Sequence, residues 1–341
     1  MEIPILPIFK LLCVTLVFST FLRSSLSESE LCHPQDKKVL LQIKKAFNDP
    51  HDLASWDPET DCCSWYGVEC HKITNRVWSL EINDGELEGP IPPQVGDLPY
   101  LEFLQFKLCP NLTGPIPPAI AKLKRLRFLR ISWTGISGQI PDFIGNLKNL
   151  QSISLSSNRL TGPIPSSIGS LKKLTGLLLD RNKLTGPIPH SFGKFEGKEF
   201  YLYLNRNQLS GKIPASLRET DFSYIDLSRN MLEGDASVLF GSKKSTWVLD
   251  ISRNLFEFDF SNVKFAEQLT NLDISHNKIY GSLPKGLTKL SMAVFNVSYN
   301  KLCGQIPQGG DLQTRFDASA YVGNRCLCDP PLPSCNLIME A

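Results

Sequence analysis

Apolar and polar residues keep one rhythm through most of this chain. An alternating stretch of the form Leu-x-Leu is followed by x-x-Asn-x-Leu-x-Gly-x-Ile-Pro, and the phrase returns every 23 to 25 residues. From Gln151 to Ser157 the alternation sends Ile153 and Leu155 toward one face and Ser152, Ser154 and Ser156 toward the other, which is the period of a half-buried β-strand. The asparagine position recurs at Asn158, Asn182, Asn207, Asn230, Asn254, Asn277 and Asn300, and degenerate versions precede it at Gly85, Cys109 and Thr134. Ile-Pro pairs mark the same register from Ile91 and Pro92 to Ile213 and Pro214, and again at Ile306 and Pro307. Two passes lack the pair, and one carries Leu283 and Pro284 instead.

This period, with one strand per pass, predicts a leucine-rich repeat in which no unit buries its apolar face alone, so stability comes from stacking. The expected fold is an α/β solenoid: a right-handed superhelix of ten plant-type leucine-rich repeats with a concave parallel β-sheet and disulfide-stapled caps. The expected organisation is a signal peptide at 1–29, an N-terminal helical cap at 30–76, repeats over 77–307 and a C-terminal cap at 308–341.

Composition narrows the possibilities. Over 341 residues the net charge is only +2 and no Lys/Arg-rich run occurs, so nucleic acid is not an expected partner. Lys10 followed by the apolar run Leu11 to Phe18, with Ser27 and Ser29 beyond, fits a cleaved secretory leader better than an uncleaved anchor. No second apolar stretch is long enough to span a bilayer, so the mature protein is expected to be soluble, extracellular and monomeric, with no cofactor.

Cysteine usage agrees with secretion. With Cys13 removed in the leader, eight of the remaining nine cysteines form two clusters, Cys32, Cys62, Cys63 and Cys70 before the repeats and Cys303, Cys326, Cys328 and Cys335 after them. Terminal repeats would otherwise expose core edges, so stapled caps are expected there. Zinc is the alternative, disfavoured by the adjacency of Cys62 and Cys63 and the lack of paired histidines. Adjacent or nearly adjacent cysteines should diverge to different partners, giving Cys32–Cys62, Cys63–Cys70, Cys303–Cys326 and Cys328–Cys335. Cys109 sits in an asparagine slot and is expected to be a buried, unpaired thiol.

Function is sought at strand positions that face out. One before the asparagine slot, the residues run Asp84, Leu108, Trp133, Ser157, Arg181, Arg206, Arg229, Arg253, His276 and Tyr299. Four before it they run Glu81, Gln105, Arg130, Ser154, Leu178, Tyr203, Asp226, Asp250, Asp273 and Asn296. Strands stack about 4.8 Å apart, so like charges in one column repel by roughly 1 kcal/mol each even in bulk water. Either the arginines and aspartates neutralise one another as a solvated mosaic, or the arginine ladder recognises an anion bearing repeated carboxylates, for which guanidinium forks are suited. Arg130, Ser132, Trp133, Ser154, Ser156, Asp180, Tyr203, Asn205, Asp226, Asp250, Asp273 and His276 are the expected macromolecular contacts, with Tyr201 and Tyr224 adding flat surface. Asp226, Asp250 and Asp273 also have about the spacing of a retaining glycosidase pair, but an open ladder offers no pocket expected to raise one acid's pKa.

The stretch Asp36 to Lys44, the run Thr60 to Trp65, the segment Arg229 to Val238, and Asn296 to Gln308 with Cys326 to Cys328 together resemble plant polygalacturonase-inhibiting proteins across essentially all of the mature chain. The resemblance implies a non-catalytic cell-wall protein that binds fungal or insect endopolygalacturonases through its concave face in plant defence. It also implies binding of homogalacturonan (pectin) through a basic column that maps onto Arg181, Arg206, Arg229 and Arg253. Some relatives place an acid where Ser154 stands, which leaves the identity of the inhibited enzymes open. Asn111 and Asn296 head glycosylation sequons, the first in a loop and the second on a strand facing the groove. The rival readings are a ligand-sensing or co-receptor module and an ice-binding variant of the same scaffold.

Overall fold

The computed structural model describes residues 31–197 and 199–335; the leader expected at 1–29 lies outside them. The chain enters through α1 (Pro34–Ala46), with Pro34 at the first helical position, Asp36 in the first turn and Lys44 and Lys45 in the last, each sign matched to the helix dipole. Val39, Leu40 and Ile43 lie on its buried stripe. Asp36 is buried as well, and Arg76 meets it with two hydrogen bonds of 2.8 and 2.7 Å while the Val77 N–H donates a third, so the charge is compensated. Beneath the helix Trp56 and Trp65 stack at 5.7 Å.

Strand β1 (Val68–Cys70) runs antiparallel to β2 (Val77–Asn83) and covers the first edge of the main sheet. From β2 onward every neighbour is parallel: β3 (Phe103–Cys109), β4 (Phe128–Thr134), β5 (Ser152–Ser154), β6 (Gly176–Leu178), β7 (Phe200–Tyr203), β8 (Phe222–Asp226), β9 (Val248–Asp250), β10 (Asn271–Asp273) and β11 (Val294–Asn296). The sheet stays open. Its inward residues, such as Ile153 and Leu155, are fully buried in one continuous apolar column that runs from cap to cap.

From β5 onward an asparagine closes the turn after each strand. Asn182 Nδ2 donates to the carbonyls of Leu155 and Leu179 at 2.8 and 3.1 Å, and its Oδ1 accepts the N–H of Leu160 in the preceding coil at 3.0 Å. Asn207, Asn230, Asn254, Asn277 and Asn300 repeat the arrangement, satisfying backbone groups that burial would otherwise leave unpaired. The ladder goes one coil further than the sequence reading placed it. Asn324, within the expected C-terminal cap, accepts the Leu302 N–H and donates to Val297 and Tyr321.

After the slot, a second sheet of six strands runs from Ser137–Gln139 to Leu255–Phe256 along the flank. The Ile-Pro pair then ends it: isoleucines such as Ile164 are buried, and the prolines are extended caps that start short 3-10 turns on the convex side. These 3-10 turns run only three to five residues, so among the described residues the α-helical content expected of the fold lies in the N-terminal cap. Four of these turns pack closely because their fourth residue is glycine, at Gly96, Gly145, Gly169 and Gly193. A Cβ on Gly169 would lie 2.4 Å from the Ser191 carbonyl oxygen, and Gly145 meets Ser167 in the same way. Where the Ile-Pro pair is missing, Ala236 and Phe260 fill the isoleucine position, and Phe240, Phe258, Phe260 and Phe265 form an edge-on cluster.

All four cap disulfides pair as the sequence suggested, Cys32–Cys62, Cys63–Cys70, Cys303–Cys326 and Cys328–Cys335, so none of these sulfurs is left as a thiolate for zinc. Cys109 is a buried free thiol, and burial pushes its pKa up. No helix among the described residues is long and apolar enough to cross a membrane.

Candidate functional site

The floor of the concave face is set by strand register. Tyr203, Asp226, Asp250, Asp273 and Asn296 are direct partners across β7 to β11. Each acid also has a local task. Oδ1 of Asp226, Asp250 and Asp273 accepts the N–H of the serine two residues on, Ser228, Ser252 and Ser275, at 2.9 to 3.0 Å. Asn296 does the same for Ser298 at 3.1 Å. The backbone is turning at these positions, and the side chain supplies the acceptor that the ending strand no longer provides.

The same turn corrects two site expectations. Ser132 and Ser156 were expected to face out by alternation, yet each is only 8% exposed, and the Ser156 hydroxyl donates to Asp180. Ser156 lies past the end of its strand at Ser154, whereas Ser132 is still within β4, just before the left-handed Trp133 breaks the alternation. Ser154 is half-buried, as are Asp180 and Asn205; Asn205 Oδ1 is a buried acceptor without a partner among the described residues.

Electrostatics departs from the sequence reading as well. Burial, with Asp226 next to it, pushes the Asp250 carboxyl up to about 6, and burial also raises Asp226. The open ladder therefore does desolvate an acid, because the column is walled by its own neighbours and their serines. The arginines do not neutralise it by direct pairing. Among the described residues Arg206, Arg229 and Arg253 make no ion pair within 4 Å, and Arg181 reaches Asp180 only at 3.9 Å.

The arginines occupy a separate line along the edge of the floor. All ten members of their column, from Asp84 to Tyr299, have φ between +52° and +57°. Glycine or asparagine would adopt this left-handed conformation most easily, so arginine, tryptophan and histidine stand there at a backbone cost. Arg181, Arg206, Arg229 and Arg253 are exposed. Members of the column approach one another: His276 and Tyr299 stack at 4.4 Å, and the Arg181 guanidinium reaches past Ser157 to stand 5.9 Å from the Trp133 ring centre. Burial first, and nearby Arg253 second, lower the His276 pKa.

Aromatic residues mark the other side of the floor. Tyr203 and Tyr224 stack at 4.2 Å, and Trp247 meets Tyr201 and Tyr224 edge-on at 6.4 and 6.3 Å. Trp247, 41% exposed, was not anticipated, because it stands one residue before its strand and outside the two columns read from sequence. Arg130 lies over Phe103 and Phe128 at 5.1 and 5.8 Å, a pair that alternate positions on β3 and β4 could have disclosed. Of the two sequons, Asn111 is exposed, whereas Asn296 is half-buried with its Oδ1 accepting from both the N–H and the hydroxyl of Ser298.

Comparison with known proteins bears on this geometry. Residues 33–71 match the model of the leucine rich repeat N-terminal domain, and residues 77–197 that of a leucine-rich repeat region. A polygalacturonase inhibitor of Pyrus communis is 63% identical over 324 residues, covering 95% of this chain and 97% of the relative. Polygalacturonase inhibitor 2 of Arabidopsis thaliana is 57% identical over 96% of this chain and 99% of its own. Among solved structures, a plant ice-binding protein superposes with a TM-score of 0.87 at 50% identity, covering 89% of this chain and 98% of that one.

Proposed function

Because this chain belongs to the polygalacturonase-inhibitor family of plant leucine-rich repeat proteins, we propose that it is secreted to the cell wall as a monomer and binds fungal or insect endopolygalacturonases through its concave floor, blocking their substrate cleft. The chain acts by binding and is not an enzyme. The observation that carries the reading is the stacked Tyr203–Tyr224 pair registered beside Asp226 and Asp250. Stacked rings present broad contact area with little entropy left to lose, and the neighbouring acids give the patch a charge that a partner must match. The expected contacts are Tyr203, Asn205, Asp226, Asp250, Asp273 and His276, with Arg130, Ser154 and Asp180 toward the N-terminal repeats.

The exposed arginines at 181, 206, 229 and 253 are the proposed site for unesterified homogalacturonan, each guanidinium facing one carboxylate of an extended chain. Asn111 is the proposed glycan carrier of the two sequons, because it is exposed, whereas Asn296 is half-buried on the floor with its Oδ1 held by Ser298. The decisive experiment is inhibition of a panel of purified endopolygalacturonases, with polygalacturonate pull-down of the parent and of the fourfold Arg→Gln variant beside it. Loss of pull-down in that variant supports the arginine site, and inhibition of no enzyme in a broad panel removes the inhibitor reading.

A second reading, ice binding, rests on the likeness to the plant ice-binding protein. The flank sheet weighs against it. Its register places Lys183 opposite Thr161 and Arg159 opposite Ser137, and both cations are exposed, so charge crosses the face that would have to match an ice lattice.

A further inference from the structure

The edge column changes character sharply along its length. From Arg181 to Arg253 it is basic and exposed, but N-terminal to Ser157 it holds Trp133 and Leu108, 50% and 39% exposed, and then Asp84. Because all these residues share one left-handed backbone conformation on successive strands, their side chains continue a single track. Beyond Trp133 the track runs into a groove of about 880 Å³ lined by Asp84, Glu86 and Glu88 together with Leu108, Trp133 and one cation, Arg159, so acids outnumber bases there three to one. All three acids are exposed. A Trp and a Leu gain nothing from standing in a left-handed conformation in water, so their place is not explained by the fold.

We propose that Trp133 is a stacking subsite for the end sugar of a bound uronate chain, and that the acidic groove beyond it is an end-stop that limits how far an anionic polysaccharide can extend toward the N-terminus. This rests on the arginine column being the polysaccharide site. The geometry is that Arg181, the first cation of the ladder, stands over the Trp133 ring at 5.9 Å from its centre, which leaves the ring face and the guanidinium side by side along the track. A uronate whose carboxylate meets Arg181 therefore has an aromatic face within reach for the C–H side of the next ring. The following unit would carry its carboxylate toward Asp84, Glu86 and Glu88. At 0.1 M salt charges act over about 10 Å, so that unit is repelled by groups lining one groove. The result is a site with a fixed end and a preferred length, not an unbounded strip.

The test uses the full mature chain and a size-graded series of unesterified oligogalacturonides, measured calorimetrically at low salt. For the parent, affinity is expected to rise with length and then level off. Trp133→Ala should remove the last increment, weakening the longest oligomers by about tenfold, the size of one good contact, with little effect on the shortest. The triple variant Asp84→Asn, Glu86→Gln, Glu88→Gln should do the opposite: affinity keeps rising past the parent's plateau, and this gain disappears at 1 M salt, where charges act over only about 3 Å. Asparagine tolerates the left-handed conformation at position 84 and the other two side chains are exposed, so the triple variant should fold. If both variants follow the parent's length dependence while the fourfold Arg→Gln variant loses binding, the end-stop is wrong and the arginine site stands. If the fourfold variant binds like the parent, the site beneath the proposal has failed first.

Discussion

Asp226 and Asp250 are directly opposed on neighbouring parallel strands, each with its Oδ1 already committed to the N–H of the serine two residues on. The two carboxylates are thus held side by side by the backbone, whatever their charge, and they titrate as a pair. Burial first, and Asp226 second, raise the Asp250 carboxyl to about 6 in the fold from an ordinary value of 3.8. For a carboxyl whose folded pKa is raised, stability is fully present below the unfolded pKa and is lost as pH rises through the folded one. Stability should therefore fall between about pH 4 and pH 6 as this group ionises. Asp250→Asn should flatten that dependence and stabilise the protein at pH 7 by on the order of 2 kcal/mol, after allowance for screening. Asn296 shows that an amide serves the same backbone role in this column. Denaturant unfolding of parent and variant across that pH range measures the effect, and a parallel pair of pH curves would refute it.

Removing one rung of the asparagine ladder should be costly far from any binding surface. Asn207→Ala leaves the Leu184 N–H and the Leu179 and Leu204 carbonyls without their partner. A loss of about 2–4 kcal/mol is expected, given the penalty for buried unpaired groups. The fluorescence-monitored unfolding midpoint reports it.

On the convex side, Gly169→Ala brings a methyl group against the Ser191 backbone. The clash is with main chain, which cannot rotate aside, so destabilisation of about 1–3 kcal/mol is expected. Gly186→Ala is not a substitute test, since its φ of +75° adds a separate strain. Calorimetric melting of the Gly169 variant decides the matter, and an unchanged melting temperature would mean that neighbouring coils slide apart freely.

Tyr203→Ala should separate binding from folding. The ring stacks on Tyr224 at the surface of the floor and is not part of the leucine column, so stability should change by about 1 kcal/mol or less. Inhibition of any polygalacturonase that the parent inhibits should weaken at least tenfold, as for a central aromatic contact. Full inhibition by the variant would exclude this part of the floor.

What could be read from sequence follows a physical division. The repeat, the inward leucines, the asparagine slots and the disulfide pairs were legible because each is dictated by periodicity or by chain geometry. Asn324 escaped because the coil that contains it has lost its leucine pattern, although Gly323 before it keeps the left-handed φ of the column at +71°. Ser132 and Ser156 are buried against alternation because each directly precedes a left-handed residue, Trp133 or Ser157, and a period of two does not announce that break. The raised Asp250 carboxyl depends on what surrounds the column in space, which a column read as letters does not contain. Trp247 needed the knowledge that the residue before a strand can still reach its face.

The interlocked glycines of the convex turns reach further than stability. In a stack of wedges the curvature is the difference between inner and outer spacing, and the inner spacing here is fixed by β-ladder hydrogen bonds. Gly145 and Gly169, seated against Ser167 and Ser191, therefore govern the outer spacing, and with it the radius of the hollow on the opposite side. A change of one methyl group on the back of the molecule would open or close the mouth of the front without altering a single contact residue. The range of shapes this protein can embrace is thus written partly in residues that no partner ever touches.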